Sequence, residues 1–83
     1  MNQPAEQLPD LYTCIDPSIA EIVVARDKLD MWVQALAASR AMKRPLSLDL
    51  AAEEIVEAGR QIAFLAEGIH VGIAKRLALE SRL

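Results

Sequence analysis

Residues 48–66 read LDLAAEEIVEAGRQIAFLA, and the spacing of apolar residues in this stretch decides the fold. Apolar side chains recur every three or four residues, which is the period of one face of an α-helix. The same spacing continues beyond the stretch and predicts a helix from Leu48 to Leu79. The stripe expected to pack on a neighbouring helix consists of Leu48, Ala51, Ala52, Ile55, Ala58, Ile62, Leu65, Ala66, Ile69 and Ile73.

An earlier stretch predicts a first helix that would pair with this one. Asp16-Pro17 is expected to begin it, because a capping side chain followed by proline suits a helix start, and Arg44-Pro45 is expected to end it. A turn of about four or five residues would then lead to a cap at Ser47 or Asp49, so the two helices should be antiparallel neighbours. The packing stripe of the first helix is Ile22, Ala25, Leu29, Trp32, Val33 and Leu36.

The chain before the first helix is predicted to be an extended arm. Residues 1–15 contain Pro4 and Pro9, and the short apolar stretch from Leu11 to Ile15 alternates in the manner of a strand. A lone strand is marginally stable, so we expect this stretch to lie across the helix pair. The predicted organisation is an arm over residues 1–15 and a helical hairpin domain over residues 16–83.

The three glycines of the chain all fall in the second predicted helix. Gly59, Gly68 and Gly72 each cost about 1 kcal/mol relative to alanine, which indicates either close helix contacts or a break. One interpretation is a continuous helix of about 48 Å, whose overhang beyond a first helix of about 36 Å would pack on a second subunit. The alternative is a split near Gly68 that yields a third short helix.

Both helices carry apolar residues on a second side, which one hairpin cannot cover. A chain of 83 residues buries a small core, and its single cysteine, Cys14, excludes an internal disulfide. Self-association is therefore expected to supply the stability that the core lacks. The second side therefore predicts either the dimer seam of a four-helix bundle or a surface that binds another protein. The residues expected to form it are Val24, Met31, Met42, Phe64, Gly68 and Val71.

The charge distribution disfavours nucleic acid as a partner. The net charge is −3, whereas nucleic-acid binding usually relies on a basic face. Basic residues cluster at the predicted ends of the two helices, where they complement the helix dipole; a phosphate-binding patch is the alternative interpretation. These residues are Arg40, Lys43 and Arg44 in one group and Lys75, Arg76 and Arg82 in the other.

Other classes of protein are disfavoured by what the chain contains. Charged residues interrupt every apolar run, so no membrane span is expected. The lone thiol of Cys14 and the absence of a signal-like start over residues 1–6 predict a cytoplasmic location. Glu67-Gly68-Ile69-His70 has the spacing of a di-iron ligand pair, but both side chains should point outward. We expect no metal, no cofactor and no catalytic residue, and we expect Cys14 and Trp32 to be packing residues.

One family resemblance is based on the stretch Arg26-Asp27-Lys28-Leu29-Asp30. This stretch in a short helical chain looks like the opening helix of the AroQ-type chorismate mutases, which are intertwined helical dimers. The resemblance implies a site in which cationic side chains hold a dicarboxylate, and Arg26 and Lys43 match that site by position. The second helix departs from the family pattern, since Ala52 or Glu53 stands where the family has a cationic or polar ligand.

The sequence therefore predicts an all-α protein: an antiparallel helical hairpin that forms a homodimer. The expected function is that of a small, non-catalytic regulator, adaptor or inhibitor of bacterial or phage type that binds a larger protein. A DNA-associated regulator that uses Arg40, Lys43 and Arg44 is the first alternative, and a small helical enzyme similar to AroQ is the second.

Overall fold

The computed structural model describes residues 10–82 and shows two long helices joined by a tight turn. Helix α1 spans Leu11–Ala41 and helix α2 spans Pro45–Glu80. The helices run antiparallel and pack against each other along their length, and no strand occurs among the described residues. The prediction of an all-α helical hairpin is confirmed, while residues 1–9 of the predicted arm lie outside the described residues.

Helix α1 begins before its predicted start. Asp10 is the N-cap residue: its carbonyl oxygen accepts the N–H of Cys14 at 3.0 Å, and its Oδ2 accepts the Thr13 hydroxyl at 3.0 Å. Residues 11–15 are therefore helical, and the prediction that they are extended is wrong. Pro17 lies inside the helix, where it has no N–H to donate to the carbonyl of the preceding turn.

The turn between the helices consists of Met42, Lys43 and Arg44, which is shorter than predicted. It is a Schellman motif: the Lys43 N–H donates to the Arg40 carbonyl at 3.2 Å, and the Arg44 N–H donates to the Ser39 carbonyl at 3.0 Å. This geometry requires a left-handed residue after the helix, and Lys43 adopts it with φ of 56°. A non-glycine residue is strained there because its Cβ crowds the backbone.

Replacing Lys43 by glycine should stabilise the hairpin by about 1 kcal/mol, because glycine adopts positive φ without that crowding. Thermal unfolding followed by circular dichroism measures the effect. The comparison variant is Lys43→Val, which removes the same charge but keeps a branched Cβ, and it should lower the melting temperature. Equal melting temperatures for the two variants would contradict the left-handed turn.

Helix α2 begins at Pro45, where the missing N–H of proline costs nothing. Arg44 is the N-cap residue, and its carbonyl accepts the Leu48 N–H at 3.0 Å, so the predicted start at Ser47 or Asp49 is wrong. The helix continues through all three glycines to Glu80, which removes the alternative of a split near Gly68.

The two helices meet along a seam of residues that repeat at alternating intervals of three and four. This is the heptad spacing of helices packed nearly side by side. The prediction was wrong for Val33, Ala52 and Ala66, which are exposed because they lie one position outside the seam. The buried and half-buried seam residues are Leu11, Ile15, Ser18, Ile22, Ala25, Leu29, Trp32, Leu36 and Ser39 in α1, and Leu48, Ala51, Ile55, Ala58, Ile62, Leu65, Ile69 and Arg76 in α2. The exposed Gly72 occupies the remaining seam position of α2, and Ile73 is half-buried one position outside it.

The interior of the hairpin contains few large side chains. Among the described residues, Ala25 and Ala51 are each 1% exposed, and no large side chain is fully buried. The radius of gyration is 19.2 Å, against about 12 Å for a compact domain of this length. Neither helix contains an apolar stretch that could cross a membrane within the described residues. The hairpin is therefore an elongated rod with a thin core.

The earlier start of α1 removes most of the predicted overhang. With 31 and 36 residues, the helices are about 46 and 54 Å long. Leu11 at the start of α1 and Arg76 near the end of α2 line one groove, so the seam reaches almost to the end of α2. The overhang therefore cannot be the reason for association with a second subunit.

Candidate functional site

The seam divides the rest of the surface into two flanks, and grooves show which residues share one flank. Lys28 of α1 lines a groove together with Glu54 and Gln61 of α2. In helices packed in this way, residues seven positions apart lie on the same side. Lys28 therefore identifies this flank on α1, and Glu54 and Gln61 identify the same flank on α2. We call this flank the Phe64 face. Its residues are Cys14, Glu21, Val24, Lys28, Met31, Ala35, Ala38 and Met42 in α1 and Leu50, Glu54, Glu57, Gln61, Phe64, Gly68, Val71, Lys75 and Ala78 in α2.

The six residues predicted as the partner-binding or dimer surface all lie on the Phe64 face. The structure thus brings together two groups that are far apart in sequence. All six are exposed, and their role in binding remains a prediction. They are Val24, Met31 and Met42 in α1, and Phe64, Gly68 and Val71 in α2.

An open groove of about 430 Å³ lies beside Phe64 on this face, towards the open end of the hairpin. Ser18 and Leu65 form its floor at the seam, and Phe64 and Val71 stand at its side, with Phe64 77% exposed. A Cβ at Gly68 would meet nothing within 4 Å, so the hairpin itself gives no reason for glycine there. The groove can therefore accept a backbone that approaches closely from outside.

Carboxylates outnumber amines around the groove. Glu67, which lies just outside the Phe64 face, lines the groove itself, and Glu21 of the face lines a smaller groove with Val24. The remaining charged residues of the Phe64 face are Glu54, Glu57, Lys28 and Lys75. The face therefore combines apolar residues with a net negative charge.

The opposite flank was not identified as a separate face by the sequence reasoning. We call it the Gly59 face. The signal that would have found it is a second heptad repeat in α2 that contains small and apolar residues. Its residues are Tyr12, Asp16, Ile19, Val23, Arg26, Asp30, Val33, Ala37 and Arg40 in α1 and Asp49, Ala52, Val56, Gly59, Ala63, Ala66, His70, Ile73 and Leu77 in α2.

The residues considered for metal binding and thiol chemistry do not form a site. Glu67 and His70 are both exposed, as predicted. The described residues contain no group of three or more His, Cys, Asp or Glu side chains arranged to hold a metal ion. Cys14 is exposed rather than packed, so its prediction as a packing residue is wrong, while Trp32 is half-buried at the seam.

The basic residues do not form one continuous surface. Arg40, Lys43 and Arg44 are exposed around the turn, whereas Lys75, Arg76 and Arg82 lie near the other end of α2. Arg26 in α1 and Lys43 in the turn, which match the chorismate mutase pattern, lie about 25 Å apart along the hairpin at ~1.5 Å per residue. They therefore do not converge on one ligand within a single chain.

Comparisons with known proteins identify no relative: no family model matches the chain, and no curated protein or solved structure matches it significantly.

Proposed function

We propose that this protein is a small, non-catalytic cytoplasmic regulator, adaptor or inhibitor of the bacterial or phage type. It acts as a helical dimer that forms a four-helix bundle, and it binds a larger protein. The observation that carries this proposal is the inverted distribution of side-chain size. Alanines fill the most buried seam positions, while large apolar side chains such as Phe64, Tyr12 and Met42 point outward. Exposed apolar surface of this extent is typical of proteins that bind other proteins.

The Phe64 face is the proposed site for the larger protein. Large exposed aromatic residues beside a groove are the usual anchors of protein interfaces. The methionines on this face supply side chains that adapt to a partner's shape. The groove runs along the helices and is bordered by Gly68, so an amphipathic helix fits it better than a loop or a strand. The excess of carboxylates favours a partner helix with lysine or arginine beside its apolar stripe.

Replacing Phe64 by serine should abolish binding of that partner and leave folding unchanged. Phe64 contributes little to the hairpin because it is exposed, so the free energy of unfolding should stay within about 0.5 kcal/mol of the wild type. Light scattering should still give about twice the chain mass of 9.1 kDa. Binding is measured first by affinity capture with quantitative mass spectrometry and then by calorimetry with the purified partner.

The matched control is Leu46→Ser, which also removes an exposed apolar side chain from α2 but lies outside both faces. It should retain the partner that Phe64→Ser loses. Capture of the same proteins by both variants would contradict the proposed site.

Salt-dependent DNA binding that is lost on replacing Arg40, Lys43 and Arg44 would instead support the DNA-associated alternative.

A further inference from the structure

The Gly59 face offers a second apolar surface, and its chemistry differs from that of the Phe64 face. In α2 the positions of the Gly59 face next to the seam are Ala52, Gly59, Ala66 and Ile73, none of which is charged. The corresponding positions on the Phe64 face are Glu54, Gln61, Gly68 and Lys75. An uncharged row beside the seam favours burial, whereas a charged or polar row is stable in water. The charged residues of the Gly59 face lie away from this row, mainly on its α1 edge. The Gly59 face is therefore the better candidate for a permanent contact.

The elongated hairpin exposes more surface than a compact monomer of its mass. The chain exposes 6543 Å², whereas a compact monomer of its mass exposes about 4,900 Å². The excess over the whole surface is about 1,600 Å², which is comparable to the roughly 1,000–2,500 Å² that each partner contributes to an obligate interface. A second copy of the same chain would therefore supply the cover that the thin core lacks.

The charges on the α1 edge of this face are self-complementary when two copies run antiparallel. Asp16, Arg26, Asp30 and Arg40 alternate in sign along the edge. If two α1 helices cross near residue 28, Arg26 of each copy faces the partner's Asp30, and Asp16 faces the partner's Arg40. Arg26 contacts Asp27 within its own chain at 3.3 Å. Both side chains of this ion pair are exposed, so it competes only weakly with the pairing of Arg26 to the partner's Asp30.

The same arrangement pairs apolar residues between the charged ones. Val23 faces the partner's Val33, and Ile19 faces the partner's Ala37, which are the pairings expected of an antiparallel helix seam. One antiparallel register thus satisfies both the charged and the apolar positions along the α1 edge.

The α2 helix supplies an independent indication of the same crossing level. The turn is centred on Lys43, so residues equally distant from it in sequence lie at about the same level of the hairpin. The level of residue 28 in α1 is therefore that of Ala58 in α2, one residue before Gly59. A Cβ at Gly59 would meet nothing within 4 Å, so packing within the hairpin does not explain this glycine. Two α2 helices that cross at this level would approach most closely where the side chain is smallest.

We propose that a second copy of this chain covers the Gly59 face, with each α helix antiparallel to its counterpart and with Arg26 paired to the partner's Asp30. The inference rests on the dimer of the proposed function and specifies its face and register. It leaves the Phe64 faces on the two outer sides of the four-helix bundle, where each remains available to a larger protein.

Charge reversal at the crossing tests this register. In Arg26→Asp, two carboxylates face two others across the dimer axis, and in Asp30→Arg, guanidinium groups face each other. Each variant alone should dissociate at least tenfold more readily than the wild type. An equimolar mixture should form a heterodimer of wild-type affinity, because each reversed charge then meets its opposite. Analytical ultracentrifugation measures the affinities, and native mass spectrometry identifies the heterodimer.

The matched controls are Glu53→Arg and Arg60→Asp, which make charge changes of the same size on the side of α2 that faces away from the seam. They should remain dimers alone. Dimers that are unaffected by the Arg26 and Asp30 changes, or variants that dissociate without forming a heterodimer on mixing, would overturn the proposed register while preserving the proposed function. A wild-type chain that stays monomeric at millimolar concentration would overturn both.

Discussion

Replacing Ala25 by aspartate should unfold the hairpin at 25 °C. Ala25 is 1% exposed at the seam, and the α2 seam residues are uncharged apart from Arg76 near the other end, so no seam cation would compensate a carboxylate. An unpaired buried charge costs about 3–5 kcal/mol, which is most of the stability expected for so small a core. The measurement is the helical circular dichroism signal in water and its dependence on urea.

The control for this prediction is Ala20→Asp in the same helix. Ala20 is exposed, so the variant carries the same loss of helix propensity, about 0.6 kcal/mol, without burying the charge. It should remain folded and show a small decrease in the unfolding midpoint. Similar stabilities for the two variants would mean that the helices do not meet at Ala25.

Replacing Pro17 by alanine should stabilise the protein by about 2 kcal/mol. Alanine restores the N–H that donates to the Thr13 carbonyl and removes the clash of the proline ring, effects that together are worth about 3 kcal/mol. The greater freedom of alanine in the unfolded chain offsets up to about 1 kcal/mol. The melting temperature should rise by roughly 10 °C. Hydrogen exchange at the amides of Ile15 and Ala20 should slow as well.

Pro45→Ala is the control, because Pro45 occupies the first position of α2, where no hydrogen bond is lost. Its melting temperature should fall slightly or stay constant. If Pro17→Ala behaved in the same way as this control, the helix would begin at Pro17, as the sequence alone predicted, and residues 11–15 would contribute nothing to the seam.

The start of α1 shows where sequence reasoning failed and which signal it missed. Asp16-Pro17 satisfies the local rules for a helix start, and those rules favoured an extended segment before it. The seam spacing nevertheless continues upstream through Ile15 to Leu11, and burial of these two side chains against α2 is a long-range interaction. Local preference therefore predicted the wrong boundary because tertiary packing outweighed it.

The sequence indicated which apolar residues share a side within each helix, but not which side of α1 lies beside which side of α2. Val24 and Met31 share a side of α1, and Phe64 and Val71 share a side of α2, which periodicity shows directly. That the two sides belong to one flank depends on how each helix is rotated about the seam. The sequence reasoning also merged exposed Ala52 and Ala66 with the packing stripe, and it therefore missed the Gly59 face.

The sequence by itself determined the helical class, the two helices and the position of the turn, because apolar periodicity and the Arg44-Pro45 stop are local properties of the chain. Only the tertiary structure decided that residues 11–15 are helical, which alanines are buried and which residues share a flank. Those features depend on the rotation and register of α1 against α2. Small energy differences among many seam contacts set that geometry, and no single residue encodes it.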